Sequence, residues 1–216
     1  MCMTSRARPL VAFLLATGVW PVTLSARSQQ ALEPLDPTGR VTYFIAEGAP
    51  DAQYRSSDRD LATWALKAWE RSVGDALRFE ASPEGSALVR IYWVPADAGH
   101  YGELRPLSLA GRRGAAVYVR PDTDALGGDI AGLARFDPLF RDAVVYLTCL
   151  HELGHALGLE HTAAFADIMY FFGYGGDIPA FFSRYRAQVT RRADIATVPG
   201  LSDRDVERVR TLYGRN

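Results

Sequence analysis

The sequence predicts an α+β fold built on one central sheet, and three observations carry that prediction. The 216 residues are 48% apolar and 23% charged, the balance of one ordinary core-forming domain. Short β-branched and aromatic runs are concentrated between residues 41 and 119. Segments with apolar residues at helical spacing lie among and after them, so strands precede most helices. No internal repeat or low-complexity tract interrupts this pattern.

The elements can be justified in chain order. Residues 1–26 carry Arg6 and Arg8, a short apolar run from Leu10 to Trp20, and small residues through Leu24-Ser25-Ala26. That three-part layout predicts a removable secretory signal peptide. The run is shorter than the ~20 residues a bilayer span needs, so no membrane insertion is expected after its removal. The mature chain is then expected in the periplasm, the envelope or the medium. Residues 27–39 are polar and punctuated by Pro34, Pro37 and Gly39, and read as a linker. Residues 40–216 form the domain.

Val41 to Ala46 is β-branched and aromatic, and predicts a strand. Ser57 or Asp58 can cap a helix over 58–73, where Leu61, Trp64, Ala65 and Ala68 recur at helical spacing. Leu77 to Ala81, Ala87 to Val94 and Gly114 to Val119 read as three more strands. A Gly- and Asp-rich loop is expected over 122–137. Pro138 suits the first turn of an apolar helix over 139–157, and Ser202 can cap a last helix over 203–213.

Composition excludes several classes. The formal charge of −1 gives no electrostatic footprint for nucleic acid. Of the two cysteines, Cys2 falls in the removable segment, which leaves Cys149 alone. A disulfide-stapled miniprotein and a cysteine-rich structural zinc site are both excluded. Nothing requires an oligomer, and a monomer is expected.

Three of the four histidines fall within eleven residues, His151-Glu152-Leu153-Gly154-His155-Ala156-Leu157-Gly158-Leu159-Glu160-His161. On a helix each residue advances ~100°, so positions 151 and 155 lie ~40° apart, one turn along, and both imidazoles can reach one metal. Gly158 can take the left-handed conformation that ends a helix, which lets His161 return as a third ligand. Three neutral imidazoles leave zinc an open fourth position, the layout of a catalytic site. Glu152 is placed for the metal's water rather than for ligation, and is the expected general base.

At these residues the sequence resembles the metzincin zinc peptidases, and among them the matrixins. HELGHALGLEHT is followed by Asp167-Ile168-Met169-Tyr170, similar to the family's Met-turn, and Leu201 to Gly214 resembles its last helix. The resemblance implies a twisted mixed sheet with two main helices above a cleft (about 40–157) and a small lower subdomain with a C-terminal helix (about 158–216). It implies one catalytic Zn2+ and hydrolysis of protein or peptide substrates. It implies Met169 as a hydrophobic floor beneath the ligands. It also implies that substrate pairs with the sheet's edge strand, matched here to Ala115 to Val119, so Ala115, Ala116, Val117 and Tyr118 become cleft candidates. Tyr170 is a further candidate for the cleft lining.

Departures from the family sharpen these expectations. No cysteine-switch motif and no hemopexin-like domain stand in the sequence. His100 falls where matrixins begin a second zinc site, without that site's other histidines, and is read as a loop residue. Asp122, Asp124 and Asp129 could offer oxygen ligands to Ca2+, but a solvated loop is the favoured reading. Cys149 should face the sheet as a buried small hydrophobe. The aromatic, arginine-rich stretch 171–200 reads equally as a pocket-shaping insertion or as a packed subsidiary helix or surface loop. A zinc-binding module without peptidase activity, and a zinc hydrolase of non-protein amides such as cell-wall cross-links, remain the alternatives.

Overall fold

The computed structural model describes residues 33–96 and 101–214. The signal-peptide reading of 1–26 and the reading of His100 lie outside the described residues.

Five strands form one sheet: β1 (Arg40–Ile45), β2 (Arg78–Ala81), β3 (Val89–Trp93), β4 (Gly102–Leu109) and β5 (Arg112–Val119). Their order is β2-β1-β3-β5-β4. The pairs β1–β2, β1–β3 and β3–β5 are parallel, and β4 returns antiparallel to β5. Five α-helices accompany them: α1 (Asp58–Val73), α2 (Gly128–Phe136), α3 (Pro138–Leu157), α4 (Ile178–Arg186) and α5 (Asp203–Tyr213). The α+β class and the mixed sheet are as expected.

The edge assignment is corrected. Ala115 to Val119 belongs to β5, which is hydrogen-bonded to β3 on one side and β4 on the other. Ala115, Ala116 and Val117 are buried, so these residues and Tyr118 do not form an open edge. The edges are β2 and β4, and the one at the cleft is β4, which the sequence pattern does not predict as a strand. Pro106 within GELRPLSL argues against a central strand, but an edge tolerates the missing N–H. Ala110 and Gly111, both at positive φ, make the tight turn into β5.

The loop expected over 122–137 is also corrected. It contains α2, nine residues long, entered from Gly127 at φ 102°. Glycine and aspartate suppress local helix propensity, but burial of Ile130 and Ala131 overrides it. The tail of the expected linker is part of the fold as well. Leu35 is buried, its N–H donates to Tyr213 Oη at 3.1 Å, and Asp36 pairs with Arg112.

α1 packs on α3, and α3 runs against β5 and β4. Trp69 of α1 is fully buried and its indole N–H donates to Leu150 O of α3 at 3.0 Å. Neither Ser57 nor Asp58 caps α1 through its side chain in the expected way. Asp58 instead accepts from Arg55 N and forms a buried bidentate pair with Arg141 of α3, with Arg141 Nη2 2.8 Å from Oδ2. α3 does begin at Pro138, with Asp137 accepting from Leu139 and Phe140 N–H at 3.0 and 3.1 Å. Ser202 caps α5 in a reciprocal box with Asp205.

Removing one partner of the Asp58–Arg141 pair strands a buried charge. Asp58→Ala should therefore lower unfolding free energy by about 3–5 kcal/mol, whereas the joint replacement Asp58→Leu with Arg141→Met should cost far less. Denaturant unfolding of the three chains measures both effects.

Candidate active site

α3 presents His151 and His155 on successive turns with Glu152 next to His151, and Gly158 ends it at φ 109°. Gly158 N–H bonds to His155 O at 3.0 Å and Leu159 N–H to Gly154 O at 2.9 Å, the paired closure of a Schellman motif. The chain then reverses and brings His161 back. The ligand atoms of His151, His155 and His161 lie within 4.8 Å of one another. Among the described residues they are the one such group, and Asp122, Asp124 and Asp129 do not converge into another.

The imidazoles are oriented for a cation. His151 Nδ1 lies 2.7 Å from Ile168 O, and His155 Nδ1 lies 2.8 Å from Leu159 O. A carbonyl only accepts, so each Nδ1 carries the proton and each Nε2 keeps its lone pair. His155 Nε2 faces His161 Nε2 at 3.1 Å. Two imidazoles on a tetrahedral zinc, with Zn–N of 2.0–2.1 Å, stand about 3.3 Å apart at nitrogen. The donor set therefore fits zinc.

The lower side of the site is tied to α5. Asp205 Oδ2 accepts from Ile168 N–H at 2.8 Å, and the carbonyl of that same Ile168 holds His151. Ser202 Oγ, also bonded to Asp205, donates to Asp167 Oδ1 at 2.8 Å. Met169 is fully buried against Gly154, where an added Cβ would stand 2.4 Å from its Sδ. Gly154 went unremarked in the sequence, although glycine inside a helix is a signal, since it costs about 1 kcal/mol against alanine.

Glu152 is buried and lies beneath the first residue of β4. A Cβ on Gly102 would sit 2.6 Å from Glu152 Cγ and 2.8 Å from Oε1. The main-chain polarity of β4 follows from its neighbour. Ala115 N–H donates to Leu88 O and Val119 O accepts from Val94 N–H, so both residues point their groups toward β3. Their partners Pro106 and Gly102 therefore aim theirs away from the sheet, as do Leu104 and Ser108. Gly102 and Leu104 thus present N–H and C=O groups along the cleft rim that have no partner among the described residues.

The cleft encloses about 830 Å³ between β4, α3 and the chain after Met169. The segment 171–200 resolves into both of its expected roles. It is a packed helix, α4, whose buried Phe181 and Phe182 back the cleft. Tyr101 meets Phe182 at 5.4 Å and Phe172 at 5.8 Å between ring centroids, closing one end in aromatic surface. Tyr170 lines the cleft and donates to Gly175 O at 2.6 Å. Cys149 is buried as expected, and burial holds its thiol far above its ordinary range.

A family model described as Matrixin matches residues 36–177. The chain belongs to the matrixin family. Stromelysin-1 of Mus musculus is 31% identical over 180 residues, covering 81% of this chain and 32% of that protein. Interstitial collagenase of Sus scrofa is 31% identical over 145 residues, 64% of this chain and 28% of its own length. Stromelysin-2 of Rattus norvegicus is 28% identical over 181 residues, again 81% and 32%. The matrixin chain described here thus spans about a third of the length of these relatives. Matrixins use a catalytic zinc, and the His151, His155 and His161 trio matches that site.

Burial shifts the ionisable groups of this matrixin site in opposite directions. Burial holds His151 down to about 3 and His155 to about 4, with the carbonyl contacts partly opposing. Burial lowers His161 as well. Burial pushes Glu152 up to about 8, with Arg120 opposing and Glu103 adding.

With zinc removed by a chelator, the melting temperature should peak near pH 6.5. Below that pH the unfolded imidazoles, at 6.5, take up protons that His151 and His155 refuse in the fold, so stability falls as pH drops. Above it, folded Glu152 still holds a proton that its unfolded form, at 4.5, has given up, so stability falls as pH rises and levels off beyond about 8. Glu152→Gln should flatten the alkaline limb and steepen the acid limb between about pH 4.5 and 6.5. Separately, Gly154→Ala should destabilise by about 1–3 kcal/mol in thermal unfolding, because Met169 cannot move aside in a packed core.

Proposed function

We propose that this matrixin is a secreted zinc-dependent endopeptidase in which Glu152 is the general base. The observation that carries the reading is the juxtaposition of three convergent imidazoles, a buried carboxylate and an open strand edge that begins directly over it. Secretion is inferred from the layout of residues 1–26.

An extended peptide adds to β4 through its own N–H and C=O groups, which Gly102 and Leu104 complement; Pro106 can only accept. Specificity then comes from side chains that enter the aromatic part of the cleft around Phe172, Phe181 and Phe182. His151, His155 and His161 would hold a zinc ion, which when bound would supply Lewis acidity toward a carbonyl and a water. Glu152 accepts the proton of the attacking water at a carboxylate oxygen and delivers it to the leaving amine. A cation held by the three imidazoles would favour the ionised form of Glu152, the form that can accept a proton. Burial excludes bulk water from that exchange, and Met169 forms an apolar floor under the ligand helix.

Glu152→Gln keeps the side-chain volume but removes the base. It should retain one zinc per chain and lose about 10²–10⁴-fold in turnover of a peptide library, with wild-type cleavage abolished by chelation. Activity near wild type would overturn the assignment of the base. Zinc uptake by the wild type without peptide cleavage would favour a non-peptidase role.

A further inference from the structure

We propose that Phe171 is the positioning residue for His161, taking the place of the hydrogen bond that orients the other two imidazoles. The inference rests on the reading of His151, His155 and His161 as ligands of one zinc ion.

The three imidazoles are not held alike. His151 and His155 each give Nδ1 to a main-chain carbonyl. His161 has no such partner among the described residues; its hydrogen-bonding contact is His155 Nε2, on the metal-facing side. It is also the exposed member of the trio. A ligating imidazole ordinarily needs a partner on its second nitrogen to set the ring, and loss of that partner weakens metal binding about 10–100-fold.

His161 has an aromatic ring instead. Phe171 lies 4.8 Å from it between centroids, inclined by 31°. Tyr174 meets Phe171 edge-on at 5.3 Å and 89°. Phe171 N–H donates to Thr162 O at 3.1 Å, which ties its backbone to the residue after the ligand. A Cβ on Gly173 would stand 2.2 Å from Phe171 Cε1, so only glycine lets the ring fold back over the chain. Phe171 is 42% exposed, so core packing alone does not account for its placement. A flat face at stacking distance blocks rotation of the imidazole about its outer torsion, which is what the missing hydrogen bond would have done.

The test is zinc release from the full chain to a chromogenic chelator, with cobalt(II) substitution as a second readout of ligand geometry. Phe171→Tyr should release zinc within about 3-fold of the wild-type rate and keep its cobalt spectrum. Phe171→Leu, apolar but without a flat face, should release about 10–100-fold faster and show an altered spectrum. The exposed position leaves the fold intact in both, which melting in excess zinc checks. Wild-type release and spectrum in Phe171→Leu would overturn the stacking role alone. Failure of the wild type to take up zinc would overturn the ligand assignment, and the stacking role with it.

Discussion

The site depends on a helix that must stop just after its second imidazole. His151 and His155 share a face only because the helix is regular, and His161 joins them only because it is not continued. Gly158 reconciles the two demands. Its positive φ closes the last carbonyls of α3 onto the Gly158 and Leu159 amides and turns the chain back within three residues. A side chain at that position would meet the left-handed penalty where the reversal is tightest.

Everything around α3 serves to hold it still. Trp69 fixes its middle through Leu150 O, and the Asp58–Arg141 pair fixes its first turn to α1. From below, Asp205 reaches through the Ile168 peptide to His151, so the last helix of the chain orients a side chain 54 residues earlier. Gly154 lets Met169 lie directly against the helix between the two imidazoles. These contacts remove rotamer freedom before any ligand arrives, which is how a donor set acquires affinity.

The cleft brings together two different kinds of surface. Its rim at Gly102 and Leu104 is main-chain, generic in what it can pair with. Its aromatic end is built from Tyr101 and from Phe172 and Phe182 in the chain beyond Met169. The same stretch carries Phe171 onto His161. The proposed substrate contacts and the proposed positioning of His161 therefore share a short segment, and changes in one are expected to be felt by the other.

The sequence alone determined the metal trio, the two long helices and the family, because these depend on spacing within one helix and its immediate continuation. Local rules suffice there: four residues make a turn, and glycine ends it. The tertiary structure alone decided which strand is the edge, that 128–136 is a helix, and what lies against His161. GAAVYV reads as a strand, but its unbroken apolar character suits a strand buried on both faces, and so an interior one. The true edge, with Pro106 among polar residues, looks weak in sequence because much of it is only partly buried. Gly102, Gly154 and Gly173 matter through what approaches them from elsewhere in the chain. No local pattern encodes those close approaches, since they exist only once distant segments share a volume.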